Sequence, residues 1–330
     1  MKRIISFIIA AVICALCMFS CANGNDPADT SGGTGDGTNA GTNAPSGSGG
    51  NGGNAGNGSS GGSGDAVDPT GRYTKFDLRA TYKESDAVKI TFSENSVTVE
   101  GKGAEADGTT VNITRDGTYI LSGSCSDGRI IVEVPTTDKV QLVLAGLKLT
   151  CKTSAPIWIK AADKTSITLA EGTVNALADT AAYSDANADG EPNACLFSKD
   201  DLTINGTGTL EVTANVNNGI TTKDDLKIVS GTITVNAKNH GLRGNDSVSI
   251  RGGTITINAK NDGIKSSQEK KEDKGYIYID GGVISIDAGD DCLQAPRDIT
   301  VTADASVTVN AGGKVLNCDG TTNIADGVLK

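Results

Sequence analysis

Oxygen-bearing side chains recur in register through the second half of the chain. Asn217-Asn218, Asn239-His240, Asn261-Asp262 and Asp290-Asp291 each stand just before a small residue: Gly219, Gly241, Gly263 and Cys292. Two residues after that small residue, a second column reads Phe197, Thr221, Arg243, Lys265 and Gln294. Carboxylates and amides beside Arg, Lys and Gln form an edge suited to a polyhydroxylated chain. His240, Arg243, Lys265 and Gln294 are therefore candidate ligand-binding residues. Asn members of such a column can equally serve only to satisfy neighbouring backbone groups. Asp262, Asp290 and Asp291 fit that role less well, because stacked carboxylates repel unless a cation or a proton intervenes. They are candidate ligands for Ca²⁺, which takes six to eight oxygens.

A second acidic segment, Asp185-Ala-Asn187-Ala-Asp189-Gly190-Glu191, places oxygen donors at alternate positions with a glycine at the sixth. That is the opening half of an EF-hand loop, although Leu196 holds the place of its bidentate glutamate. Asp185, Asn187, Asp189 and Glu191 are thus a further candidate Ca²⁺ set, the alternative being a solvated acidic turn. A third pattern pairs Lys with Asp at another corner, in Lys199-Asp200-Asp201, Lys223-Asp224-Asp225, Asn245-Asp246-Ser247 and Arg297-Asp298. It reads as a self-neutralising, solvated corner. Tyr276 and Tyr278 alternate with Ile277 and Ile279, and Trp158 alternates with Ile157 and Ile159. All three should point outward, where aromatic faces can stack on sugars. His240 is the single histidine, so a nucleophile–base–acid triad is not expected, and His240 itself can be a ladder member in place of Asn.

What brings these columns together is a repeat. Asn218-Gly219-Ile220, His240-Gly241-Leu242 and Asp262-Gly263-Ile264 are spaced by 22 residues, and Asp291-Cys292-Leu293 follows after 29 because of an insertion within Ser267–Lys274. Ala194-Cys195-Leu196 precedes by 24. On this alignment Leu202, Leu226, Val248, Ile277 and Ile299 share a column, as do Leu210, Ile233, Ile255 and Ile284. Alternation of period two inside a 22-residue repeat makes each repeat one coil of short strands, with alternate side chains inward. One coil cannot bury its apolar face alone, so stacking must supply the core. The reading is an all-β, right-handed parallel β-helix over residues 70–330, with short β runs beginning at about Thr70. Cys195 and Cys292 replace turn glycines and act there as small buried hydrophobes rather than as a disulfide.

Composition agrees. Helix-bundle residues are scarce, with 2 Met and 1 Trp, whereas Gly numbers 43. Lys+Arg total 29 against 40 Asp+Glu, a net charge of −11, which disfavours a nucleic-acid partner because phosphate binding wants a basic face. At the other end of the chain, Lys2 and Arg3 precede an apolar run from Ile4 to Phe19 that closes on Ser20-Cys21. That run is too short for a stable membrane span and reads as a secretory signal, residues 1–20. Met18-Phe19-Ser20-Cys21 resembles a bacterial lipobox, which implies lipidation of Cys21 and display outside the cytoplasm, with the membrane met only through the lipid. Residues 21–69 are almost wholly Gly, Asn, Ser, Thr, Ala and Asp, a disordered tether with a reach of about 35–40 Å.

Asp116-Gly-Thr-Tyr-Ile-Leu-Ser-Gly123, Val140-Gln-Leu-Val-Leu-Ala-Gly146, Asp201-Leu-Thr-Ile-Asn-Gly-Thr-Gly208, Asn218-Gly-Ile220 and the Gly-Gly-Thr-Ile-Thr-Ile run at Gly252 together resemble the β-helical carbohydrate-binding domain family. Its members include clostridial cell-surface proteins that bind cellulose and acidic, pectin-like polysaccharides. The resemblance covers about residues 90–330 and implies a pectate-lyase-like fold, bound calcium, and polysaccharide binding without turnover. Three expectations follow, each for a monomeric chain. The first is a surface lipoprotein that binds polysaccharide with the help of Ca²⁺. The second is a Ca²⁺-dependent polysaccharide lyase in which Lys265 or Arg243 removes a proton. The third is a structural envelope or adhesion protein.

Overall fold

The computed structural model describes residue 68 and residues 70–330 apart from 181. Cys21, the apolar leader and nearly all of the tether lie outside the described residues. Among the described residues, no helix is long and apolar enough to cross a membrane.

From Val88 onward the chain winds as a parallel β-helix. One face is a ten-stranded sheet, and a seventeen-stranded sheet carries the other two. In a typical coil the chain passes through Asn218–Thr222 on the first face, Asp225–Ile228 on the second and Thr232–Ala237 on the third. Each strand pairs in parallel with its counterpart one coil on. Leu226 lies opposite Leu202 and Val248, and Ile255 opposite Ile233 and Ile284. The columns inferred from the repeat are therefore the true register. Their inward members form one continuous apolar core along the stack, fully buried from Ile90 to Val307.

The turn glycines have a steric reason. A Cβ at Gly241 would collide with Ile257 and approach the Gly263 carbonyl within 2.7 Å; one at Gly263 would collide with Ile286 and come within 2.8 Å of the Cys292 carbonyl. Neither residue has a left-handed φ, so the demand is for close approach, not for an unusual dihedral. All five cysteines of the described residues are free; Cys125, Cys151, Cys195 and Cys292 are buried and Cys318 is half-buried.

The beginning of the domain departs from expectation. The first strands are antiparallel pairs, Val88–Phe92 with Val97–Glu100 and Ala104–Asp107 with Thr110–Ile113, which extend the two sheets at the beginning of the stack. Residues 70–82 form no coil at all. They run as a strap over the outward surface of the second face. Arg72 stacks on Tyr278, 3.9 Å from the ring centroid. The Tyr73 hydroxyl donates to Asp280 at 3.2 Å. At the other end, the Gln141 amide donates to the Arg79 carbonyl at 3.4 Å.

A short helical turn, Lys75–Leu78, fixes the middle of the strap through a reciprocal cap between Thr74 and Asp77. The Asp77 carboxylate is fully buried, with Lys164 Nζ at 3.1 Å, Lys227 Nζ at 3.3 Å and the Thr203 hydroxyl at 2.6 Å. Burial alone would raise its pKa, but the charges of Lys227 and Lys164 and the Thr203 hydrogen bond outweigh it and hold the carboxyl at about 2. Its contribution is complete above the ordinary carboxylate range near 4 and is lost as pH falls through about 2. Asp77→Ala leaves the buried Lys227 ammonium without a counter-ion and Lys164 with Asp201 alone, and urea unfolding at pH 7 should show a loss of about 3–5 kcal/mol. A loss below 1 kcal/mol would show that the strap does not depend on this triad.

Candidate functional site

The turn between the third and first faces gathers the first set of candidate residues. In its inner column each side chain accepts a hydrogen bond from the backbone N–H of the residue one coil on. Asn218 Oδ1 accepts from His240, His240 Nδ1 from Asp262, Asp262 Oδ1 from Asp291, and Asp291 Oδ1 from Lys314, at 2.8–3.3 Å. His240 is thus a ladder member, with its Nδ1 also 3.1 Å from Asp262 Oδ2. The outer column is an amide ladder in which Asn261 donates to Asn239 and Asn239 to Asn217. The next place in that column is Asp290.

The ladder reverses chemistry where the amides give way to acids. Carboxylate oxygens of Asp262, Asp290 and Asp291 lie within 4.8 Å of one another. Asp262 and Asp291 are buried and Asp290 is exposed. Lys265 Nζ donates to Asp262 Oδ2 at 2.9 Å, and the Asn317 amide to Asp291 Oδ2 at 2.7 Å. Burial would raise the Asp262 carboxyl, yet the adjoining His240 and Lys265 side chains hold it at about 2. Among the described residues the Asp290 side chain has no partner. The residue facing it is Gly313, where any Cβ would collide with Asp290 Oδ1 and stand 2.8 Å from Asp291 Oδ1. The space between the two carboxylates exists because this residue has no side chain. Three carboxylates around that space match the donor chemistry of a hard divalent cation.

Beside this cluster, on the first face, the outward column is continuous in register. It runs Ile131, Trp158, Phe197, Thr221, Arg243, Lys265, Gln294 and Asn317. Its later half is open. Arg243 is half-buried and donates from Nε to Ser267 Oγ at 3.1 Å; no carboxylate among the described residues pairs with it. Burial, with no anion to offset it, pulls its pKa below the usual guanidinium range. Lys265 and Gln294 line a cavity of about 140 Å³ with Ser267, Glu269, Asn317 and Asp319. Its wall is the insertion, pinned by Lys271 to Asp246 at 3.0 Å and by Lys274 to Asp225 at 3.2 Å.

Other expected sites are rearranged. Trp158 is not exposed: although its side chain points away from the core, it is 8% accessible and packs with Ala155, Ala194 and Phe197. Tyr276 and Tyr278 do face outward, but on the second face, around a corner from Arg243 and Lys265, and Arg72 stacks on both rings. They join no site with the ladder. Nor does the Asp185 loop converge on a point. Asp185 pairs with Arg129 at 2.8 Å, Asn187 Oδ1 accepts from the backbone N–H groups of Asp189 and Glu191, and Glu191 pairs with Lys223 at 2.8 Å. Asp185 Oδ2, Asn187 Oδ1 and both Glu191 oxygens are thus engaged by cations and amides, while Asp185 Oδ1 is buried without a hydrogen-bond partner. The Lys-Asp corner is likewise not neutralised within its own coils. Lys199 and Lys223 turn to Glu191, while Asp201 is met by Lys164 and Asp246 by Lys271.

Sequence reasoning overlooked Gly313 and the unpaired state of Arg243. Gly313 lies in the coil after the last aligned turn, and its value depends on which atoms its missing side chain would meet. No periodicity reports that.

Comparison with known proteins identifies the class. Residues 107–328 match the family described as "Carbohydrate-binding domain-containing protein", and the chain belongs to that family. A protein of the same description from Acetivibrio thermocellus is 47% identical over 266 residues, covering 80% of this chain and 90% of that one. A solved structure, a gadolinium derivative of a polysaccharide lyase-like protein from C. thermocellum, superposes with a TM-score of 0.72 at 44% identity, covering 74% of this chain and 98% of the other.

The corner next to the site carries a pH signature. Burial, together with the Asp201, Asp246 and Asp200 carboxylates, pushes Asp224 up to about 6. A raised carboxyl favours the fold while protonated, so this contribution is whole below about 4 and vanishes as pH rises through about 6. Asp224→Asn should flatten the decline in urea midpoint between pH 4 and 6. A decline as steep as that of the parent protein would contradict the assignment.

Proposed function

We propose that the chain binds an acidic, pectin-like polysaccharide without cleaving it, along the outward strip from Arg243 through Lys265 to Gln294. The observation that carries this reading is Arg243. A half-buried guanidinium with no acidic neighbour is costly unless an anion meets it, and a carboxylate-bearing sugar supplies that anion in bidentate form. His240, below the strip, positions Asp262 rather than touching the sugar.

Asp262, Asp290 and Asp291 are the residues to hold a Ca²⁺ ion, with Gly313 leaving it room. Bound there, the ion would supply a positive centre for an acidic ligand on a protein of net charge −11. In the same reading Cys21 carries the lipid, and the preceding tether displays the domain at the cell surface.

A second reading, a polysaccharide lyase, is favoured by the lyase-like description of that related structure. Against it stands the engagement of Lys265 with Asp262 at 2.9 Å, which ties its Nζ to a carboxylate instead of leaving it free to reach a sugar proton.

Affinity electrophoresis in polygalacturonate, with Ca²⁺ or with chelator, tests the proposal. Retardation should weaken at least fivefold in chelator and in Arg243→Ala, while absorbance at 235 nm stays flat. Retardation indifferent to chelator would remove the ion from the reading. A rise at 235 nm that disappears in Lys265→Ala would establish the lyase instead.

A further inference from the structure

Four successive coils each carry one cationic side chain on or beside the first face: Lys199, Lys223, Arg243 and Lys265. Phe197 and Thr221 continue the column of Arg243 and Lys265, whereas Lys199 and Lys223, just past the paired Ser198 and Thr222, stand two residues farther along their strands and flank that column at the corner. Both lysines are nearly half accessible, at 45% and 44%. These two flanking cations are nevertheless not free to meet a ligand, because the chain's own Glu191 sits on both. Its Oε1 is 2.8 Å from Lys223 Nζ and its Oε2 3.5 Å from Lys199 Nζ, while the carboxylate itself is 4% accessible.

Glu191 is built into that position. Asn187 donates to its Oε2 at 3.2 Å and accepts from its backbone N–H at 2.9 Å. Farther along the same loop, Ser184 donates to the Thr153 carbonyl at 2.8 Å and Asp185 pairs with Arg129. Burial would raise the Glu191 carboxyl, but Lys223, Asn187 and Lys199 hold it below the ordinary range, so it stays an anion.

We propose that loop 182–191 closes one end of the binding strip, with Glu191 occupying Lys199 and Lys223 as a built-in substitute for a carboxylate of the polymer. The loop thereby sets how many acidic sugars the strip accommodates. This rests on the acidic-glycan reading above. Without the Glu191 charge, two further lysines face the ligand and the strip lengthens by two coils.

The test uses α-1,4-linked galacturonate oligomers of two to ten residues, titrated by calorimetry against the parent protein and Glu191→Gln. In Glu191→Gln, affinity for the longest oligomers should rise about threefold to tenfold, as two exposed ion pairs would provide. It should also keep increasing to oligomers about two residues longer than in the parent. Adding Lys199→Ala and Lys223→Ala to Glu191→Gln should return both affinity and length dependence to those of the parent. Acetylation footprinting gives a second readout: the oligomer should shield Lys199 and Lys223 in Glu191→Gln and leave them equally reactive in the parent. Parent binding with the same affinity and length dependence in Glu191→Gln, and no shielding, would overturn the loop's role and leave the binding proposal standing. Failure of both proteins to bind any oligomer would overturn both.

Discussion

Register between coils is the constraint from which everything else in this protein descends. A parallel strand pairs with its neighbour through evenly spaced hydrogen bonds, and a slip of one residue would turn every inward Ile and Val to solvent. The apolar columns penalise such a slip on all three faces. The turn adds a second lock, because Asn218, His240, Asp262 and Asp291 each bind the backbone one coil on. The same side chains that keep the coils in register therefore bring the carboxylates together. Site and scaffold share atoms here, and a change to one is felt by the other.

This sharing explains why much of the architecture could be read from the chain. A 22-residue period with inward columns specifies coil, strand direction and core at once. It also places Asp262 above His240 and Arg243 below Lys265 before any coordinates are consulted. Legibility ended where a segment leaves the period. The strap at 70–82 contains no repeat, so nothing in its residues announces that Asp77 belongs between Lys164 and Lys227. The Asp185 loop likewise follows a spacing borrowed from calcium-binding loops, yet its partners come from other coils: Arg129, Lys199 and Lys223. Trp158 obeyed alternation and pointed outward, but alternation is silent about whether another segment lies outside.

Charge is distributed with the same logic. The protein is acidic overall, yet its lysines are placed where carboxylates would otherwise crowd one another. Lys164 meets both Asp77 and Asp201, and Lys274 meets Asp225. Most pairs join residues far apart in sequence. They tie the insertion and the strap to the stack, whereas pairs within one coil would have stabilised only that coil. Arg243 lies outside this arrangement: half-buried on the open part of the first face, it has no carboxylate partner among the described residues.

The strap carries an implication for the order of assembly. Coils can add one after another as the chain leaves the ribosome, each resting on the last. Tyr73, however, must wait for Asp280, which is 207 residues later, and Asp77 for Lys227, 150 residues later. The first part of the domain to be synthesised is thus the last to find its seat, and its docking reports that nearly the whole stack has already formed.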